Sequence, residues 1–300
     1  MSLYDTAMGF LFKRLLIVGV GLIGGSLGLA AKARGLVEQV VGFGRTEANL
    51  KIALERGSID TYTFDPAEAA QGTDVMLLAV PVEATGPVMQ QFLPYLPSGC
   101  IVTDAGSVKA PIIETLEALL PPSLHCVAAH PIAGTENAGA AAAFETLFDG
   151  SMCVLTPTSE TDRTALARVR ALWEGVGMRV EEMDAEVHDR VLAQISHLPH
   201  LIAFSVMNGL LQSSIEKVDP LAYAGSAFAD LTRVAASPVE MWRDICLANR
   251  EALLAAITSF EAALTRIKAA VAEGDGATLS ADIEQARQER QRLTRLREGK

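Results

Sequence analysis

The chain reads as an α/β protein: a mostly parallel sheet domain over residues 1–183, followed by an all-helical domain over 184–300. Three observations predict this. A short apolar run, Leu15–Val18, passes through closely spaced glycines into a helical pattern. Apolar runs then alternate with helical patterns as far as Met183, the order that builds a parallel sheet with right-handed crossovers. From Asp184 on, strand signals stop and long helical patterns take over.

The elements follow in order. Residues before Arg14 read as a loose leader. After the first strand, a helix should end near Gly35, and Gln39–Phe43 forms a second strand. A helix over Glu47–Arg56, a short segment at Ile59–Phe64 and a helical turn over Asp65–Gln71 come next. Asp74–Val80 (DVMLLAV) is a buried strand stopped by Pro81, and a helix covers Val82–Leu93. Cys100–Asp104 is a fifth strand, followed by Ala105–Lys109 and a helix toward Leu120. Cys126–Ala129 is a sixth strand, ending at His130-Pro131. Met152–Thr156 and Met178–Met183 are two more strands flanking a helix at Thr161–Glu174. The second domain holds helices at Asp184–Gln194, after Pro199, at Ala227–Ala236 and over Pro238–Val271. Leu253, Ile257, Phe260, Leu264, Ile267 and Val271 form a heptad-like seam in the last of these, which predicts either burial within the domain or a homodimer. The Arg-, Gln- and Glu-rich tail from Ser280 reads as a solvated helix.

Composition bounds the function. Three hundred residues, 50% hydrophobic and 20% charged, make two packed cores. A formal net charge of −11 argues against nucleic acid as a main partner, but leaves room for an anionic small molecule held by a local cluster of donors. Cys100, Cys126, Cys153 and Cys246 are isolated and read as thiols of a reducing cytoplasm. No other apolar run is long enough to span a membrane.

The first candidate site is Leu15–Ala31, LLIVGVGLIGGSLGLAA, where Gly19, Gly21 and Gly24 stand at G-x-G-x-x-G spacing. The first glycine permits a sharp turn out of the strand, and the second lets backbone approach a pyrophosphate. The third lets the helix pack against the strand, with the amides around Leu22 and Ile23 facing the anion. A signal peptide competes with this reading, since Lys13 and Arg14 precede an apolar run with Ala-x-Ala-like residues near Ala31 and Ala33. An ordinary glycine-punctuated core also competes. The strand before, the helix after and the second strand beyond favour a Rossmann-like dinucleotide site. Val80 and Pro81, at a neighbouring strand end, join its rim. About twenty residues past Gly24, where an NAD site offers an acidic side chain, stand Gly44, Arg45 and Thr46. A cation and a hydroxyl there suit a 2′-phosphate, so the local chemistry leans to NADP; the alternative is a solvated loop arginine, and the cofactor is left as NAD or NADP.

A nicotinamide implies hydride transfer. Removing hydride from a carbon that bears a hydroxyl requires a base for the proton, and histidine suits that role. His130, in HPIAGTE at a strand end, is the best candidate; its plainer reading is a cap in the turn before Pro131. His125 belongs to the strand. His197 and His200 share a helix face in HLPH; with no third ligand at good spacing, no metal is expected and they read as pocket residues. His188, in a polar stretch, reads as surface. Arg233, in DLTRVAAS, is either paired to a carboxylate such as Asp230 or placed for an anionic ligand.

VGVGLIGGSLGLA, TDAGSVK, HPIAGTENAG, SHLPH and GSAFADLTRVAASPVEMWRDI occur in this order over roughly residues 14–270. In these motifs the chain resembles the prephenate and arogenate dehydrogenases of tyrosine biosynthesis. The resemblance implies a Rossmann-like domain, a helical dimerisation domain and oxidative decarboxylation of prephenate to 4-hydroxyphenylpyruvate. It implies that His130 deprotonates the ring hydroxyl, that Ser107 hydrogen-bonds that hydroxyl and His130, and that Arg233 holds a substrate carboxylate. His197, His200, Glu136 and Trp242 would shape the pocket. Ala229 stands where the family often has a cation, which leaves prephenate against arogenate, or a broad cyclohexadienyl range, open. With Lys300 as the last residue, no regulatory domain is expected, so any tyrosine feedback would act at the active site. A non-catalytic NAD(P)-binding redox sensor is the rival from another class; Ser107, His130 and Arg233 together argue against it, because a sensor needs no base.

Overall fold

The computed structural model describes residues 9–135, 137–212 and 218–297. It divides into two compact units, Met1–Arg250 and Glu251–Lys300. The core of the first is a six-stranded sheet built from β1 (Phe12–Val18), β2 (Val37–Phe43), β3 (Thr61–Thr63), β4 (Val75–Leu78), β5 (Ile101–Asp104) and β6 (His125–Val127). All pairs are parallel and the spatial order is β3-β2-β1-β4-β5-β6, the doubly wound arrangement. The connecting helices are α1 (Leu22–Ala33), α2 (Glu47–Glu55), α3 (Pro66–Ala70), α4 (Thr85–Phe92) and α5 (Ala110–Leu119).

The continuous apolar runs have a physical reason. Side chains alternate across a sheet, and both faces here are covered. Leu15, Ile17, Val75 and Leu77 point into one cluster; Leu16, Val18, Met76 and Leu78 point into the other. β1 begins earlier than the sequence suggests. Phe12 is 1% exposed, with the Arg168 guanidinium 4.2 Å from its ring centre, so Phe12 and Lys13 belong to the strand; residues 1–8 of the expected leader lie outside the described residues.

A second, three-stranded sheet combines β7 (Ala129–Ile132), β8 (Met152–Leu155) and β9 (Arg179–Glu182), with α6 (Arg163–Gly175) between the last two. β7 runs antiparallel to β8, and β9 parallel to it. The expected sixth strand is therefore two strands in two sheets. Its His130 does not follow a strand end: it lies inside β7, opposite Val154. The segment at Ile59–Phe64 supplies the edge strand β3.

Helices follow from there. α7 (Ala185–Leu192) is capped by the Asp184 side chain, which accepts from Val187 N–H (3.0 Å), and passes through a π-turn, Ala193–His197, into α8 (Leu198–Gln212). Pro199 has no amide to donate back and crowds the preceding turn, so the wider turn absorbs the mismatch. α9 (Ser226–Thr232) tightens into a 3₁₀ turn at Arg233–Ala236. The single helix expected over Pro238–Val271 is two, α10 (Val239–Ala248) and α11 (Arg250–Glu273), separated at Asn249 (φ −102°, ψ 34°). Trp242 and Ile245 of α10 join the second core cluster. The second unit consists of α11 and α12 (Gly276–Arg297). Leu253 is buried, whereas Leu264, Ile267 and Val271 of the heptad seam are 51%, 41% and 63% exposed. No described helix is long and apolar enough to cross a membrane.

Candidate active site

The carboxyl ends of β1, β4 and β5 lie side by side along one edge of the parallel sheet. Each leads into a segment singled out in the sequence. After β1, Gly19 takes φ +94° and has no room for a side chain, since a Cβ would overlap Ala79 O. Val80, after β4, packs beside it, its Cγ1 3.2 Å from where that Cβ would stand. At Gly21 the space a Cβ would take is open, whereas a Cβ on Gly24 would overlap Gly19 O and Ile17 Cγ2. Gly25 N–H reaches back to Gly21 O (2.8 Å) to start the α1 ladder, so the amides of Leu22, Ile23 and Gly24 precede it. No acidic side chain occupies the first turn. Open space in front of amides at a helix N-terminus fits a pyrophosphate. The loop is braced by Asn49, a residue the sequence reading did not single out. Its Nδ2 donates to Val20 O (2.7 Å), and its Oδ1 accepts from Ala140 N–H (2.9 Å). Arg45 and Thr46 are exposed at the end of β2, with Thr46 as N-cap of α2; Pro81 is exposed after β4.

Ser107 lies half-buried on the β5–α5 loop. Beneath it, Asp104 is 1% and Lys109 0% exposed, and they form a buried ion pair. Asp104 Oδ1 also accepts from Ala129 N–H (3.0 Å), and Lys109 Nζ donates to Ala129 O (2.8 Å). These bonds fasten the start of β7, and with it His130, to the end of β5.

His130 is 7% exposed, and its Nδ1 lies 2.8 Å from His188 Nε2. His188 is fully buried, not on the surface, because one face of α7 turns it inward together with Asp189 and Leu192. Its Nδ1 lies 2.7 Å from Asp189 Oδ1. Asp189 in turn accepts from Lys109 N–H (2.7 Å) and Ala110 N–H (2.9 Å) at the start of α5. Burial, then the neighbouring His188, Lys109 and His197, holds the His130 imidazole well below its ordinary value of 6.5. A neutral imidazole at neutral pH can act as a base.

Asn249, at the break between α10 and α11, uses Nδ2 twice: it donates to Asp189 O (2.8 Å) and to His197 Nδ1 (3.0 Å). His197 is therefore protonated on Nε2, and that buried N–H has no partner in the described protein; the Trp242 indole N–H is likewise without one. Burial lowers His197 to about 4. His200 stacks on Trp242 with ring centres 3.6 Å apart, and its Nδ1 lies 2.9 Å from Ser196 O. Burial and the nearby Arg233 charge lower His200 as well. Arg233 is exposed at the end of α9. The structure thus gathers His130, His188, His197, His200 and Trp242, with Arg233 close enough to act on His200. Glu136 lies outside the described residues.

Comparison with known proteins fits this geometry. The family model for the prephenate dehydrogenase nucleotide-binding domain matches residues 27–182, and that for the prephenate dehydrogenase dimerization domain matches 184–285. The chain belongs to the prephenate dehydrogenase family. This family member is 40% identical over 268 residues to a cyclohexadienyl dehydrogenase of Zymomonas mobilis, covering 88% of this chain and 90% of that one. It is 32% identical over 268 residues to a prephenate dehydrogenase of Bacillus subtilis, covering 88% and 72%. Among solved structures, prephenate dehydrogenase of Aquifex aeolicus in complex with hydroxyphenyl propionate and NAD+ superimposes with a TM-score of 0.88 at 34% identity, covering 96% of this chain and 99% of that one. Arogenate dehydrogenase of Synechocystis gives 0.78 at 28%, covering 93% and 99%. The chain is a Rossmann-like, NAD(P)-dependent dehydrogenase of this family.

Proposed function

We propose that the chain is a prephenate dehydrogenase that oxidatively decarboxylates prephenate to 4-hydroxyphenylpyruvate, acting as a cytoplasmic homodimer. The observation that carries this is the neutral, buried His130, tied to the strand edge that also bears the dinucleotide cradle. A nicotinamide bound at the glycine turn would supply the hydride acceptor. His130 takes the proton of the ring hydroxyl as hydride leaves the same carbon, and Ser107 orients that hydroxyl. Loss of carbon dioxide then makes the ring aromatic, which drives the reaction forward. The unpartnered N–H groups of His197 and Trp242 offer donors to a substrate carboxylate, with His200 stacked behind them. Arg233 would hold a substrate carboxylate.

The boundary between the nucleotide-binding and helical domains is drawn at 183, just after β9. Dimerisation through 184–300 would cover the exposed half of the α11 seam. Arg45 and Thr46 would receive a 2′-phosphate. A broader cyclohexadienyl range is the second reading, favoured by the 40% identical relative and by Ala229 in place of a cation. Nicotinamide reduction followed at 340 nm, with prephenate or arogenate and with NAD or NADP, tests the proposal. Turnover of prephenate supports it. Turnover of arogenate alone replaces the substrate, and cofactor binding without any turnover leaves a redox sensor.

A further inference from the structure

The His130 ring takes its orientation from α7. Both oxygens of Asp189 already accept backbone amides, from Lys109 and Ala110. Asp189 Oδ1 therefore meets His188 Nδ1, 2.7 Å away, as an acceptor, and His188 carries its proton on Nδ1. A neutral His188 then has a bare Nε2. Across the 2.8 Å contact His130 Nδ1 must be the donor, which leaves the His130 lone pair on Nε2. A buried histidine and aspartate would be costly as mere filling, since apolar side chains would occupy the same volume without polar groups to satisfy.

We propose that His188, held by Asp189, is a positioning residue for the dehydrogenation: it fixes His130 as the Nδ1–H tautomer, turns Nε2 to the substrate hydroxyl, and receives the Nδ1 proton while Nε2 holds the substrate's. The proton count closes. As hydride leaves the carbinol carbon, the hydroxyl proton moves to His130 Nε2 and the Nδ1 proton moves to His188 Nε2. The positive charge then sits beside Asp189 rather than on His130, where burial and Lys109 oppose it. When carbon dioxide departs, its bonding pair enters the ring and the oxygen becomes a phenolate. Both protons run back, and the product recovers its hydroxyl without a route to solvent.

This inference rests on His130 as the base, and the test separates the two. Full-length protein labelled with ¹⁵N-histidine and saturated with NAD(P)+ is studied by NMR, with His130 assigned by its loss in His130→Asn. Nδ1 protonated and Nε2 bare is expected. His188→Leu should abolish that preference and lower kcat about 10²-fold or more, with KM changed less than about twofold, as when a catalytic imidazole loses its orienting partner. His188→Gln, whose Oε1 can accept from Nδ1–H, should restore the tautomer and part of kcat. A wild-type spectrum with the proton on Nε2 overturns the proposal whether or not the His188 variants fold. Normal kcat in His188→Leu, with His130→Asn inactive, overturns the proposal alone; normal turnover in His130→Asn overturns both.

Discussion

His188 Nε2 stands 2.8 Å from His130 Nδ1, although 58 positions separate the two residues. One belongs to a strand of the second sheet and the other to the first helix of the helical segment, so the base is completed across two parts of the fold. Several consequences can be measured.

His130→Asn should lower kcat by about 10²–10⁴-fold, the scale of general base catalysis, while NAD(P)+ affinity changes little. The pH profile follows from the environment of the ring. Burial first, then His188, Lys109 and His197, depresses His130 below 6.5; Asp189 and Asp104 face it only through His188 and Lys109. The active form is neutral, so kcat/KM should hold its plateau as pH falls through 6.5 and decline only below it. An acidic limb at or above 6.5 would contradict the assignment.

Two glycines one turn apart should fail differently. Gly21→Ala has open space for its methyl, so thermal stability should be preserved while NAD(P)+ binding weakens at least about tenfold. Gly24→Ala collides with Gly19 O and Ile17, and should cost about 1–3 kcal/mol of stability. Chemical denaturation alongside cofactor titration distinguishes them.

Arg45→Ala should weaken NADP+ binding about tenfold to a hundredfold and leave NAD+ binding nearly unchanged, since a charged hydrogen bond is worth about 1.5–3 kcal/mol. Equal effects on both cofactors would make Arg45 a bystander.

Arg233→Gln should raise KM for prephenate about tenfold or more with kcat little altered, the pattern of lost uniform binding. An unchanged KM would assign Arg233 to the fold instead.

His197 should make the fold sensitive to acid. Its value drops from 6.5 to about 4 on folding, so between those limits the unfolded chain binds the proton and the native state does not. Stability is fully present above about pH 6.5 and is lost progressively as pH falls toward 4, by on the order of 3 kcal/mol from this group. Urea unfolding across that range should show a shallower decline in His197→Gln than in the wild type.

Much of the fold was legible in residue order. Strands covered on both faces are apolar throughout, and β1, β4 and β5 stand out for that reason. The glycine motif declared itself because Gly19 and Gly24 have no room for a Cβ while Gly21 keeps the space before the helix open. The break at Asn249 did not, because the helical periodicity of α10 runs on into α11. His188 was hidden by its neighbours: Asp184, Glu186 and Arg190 give the stretch a solvated look, yet His188 and Leu192 are four apart and share the inward face. That spacing was the one available signal.

Local chain chemistry determined the class of fold and singled out the glycine turn and His130 as candidates, since turns and periodicity depend on residues near one another. Tertiary packing alone supplied the state of that base. The proton position on His130 depends on His188, which depends on Asp189, which is held by the amides of Lys109 and Ala110; no short stretch of sequence contains all five. A hydrogen-bond chain acts through distances of about 3 Å, and only the folded chain brings distant positions that close.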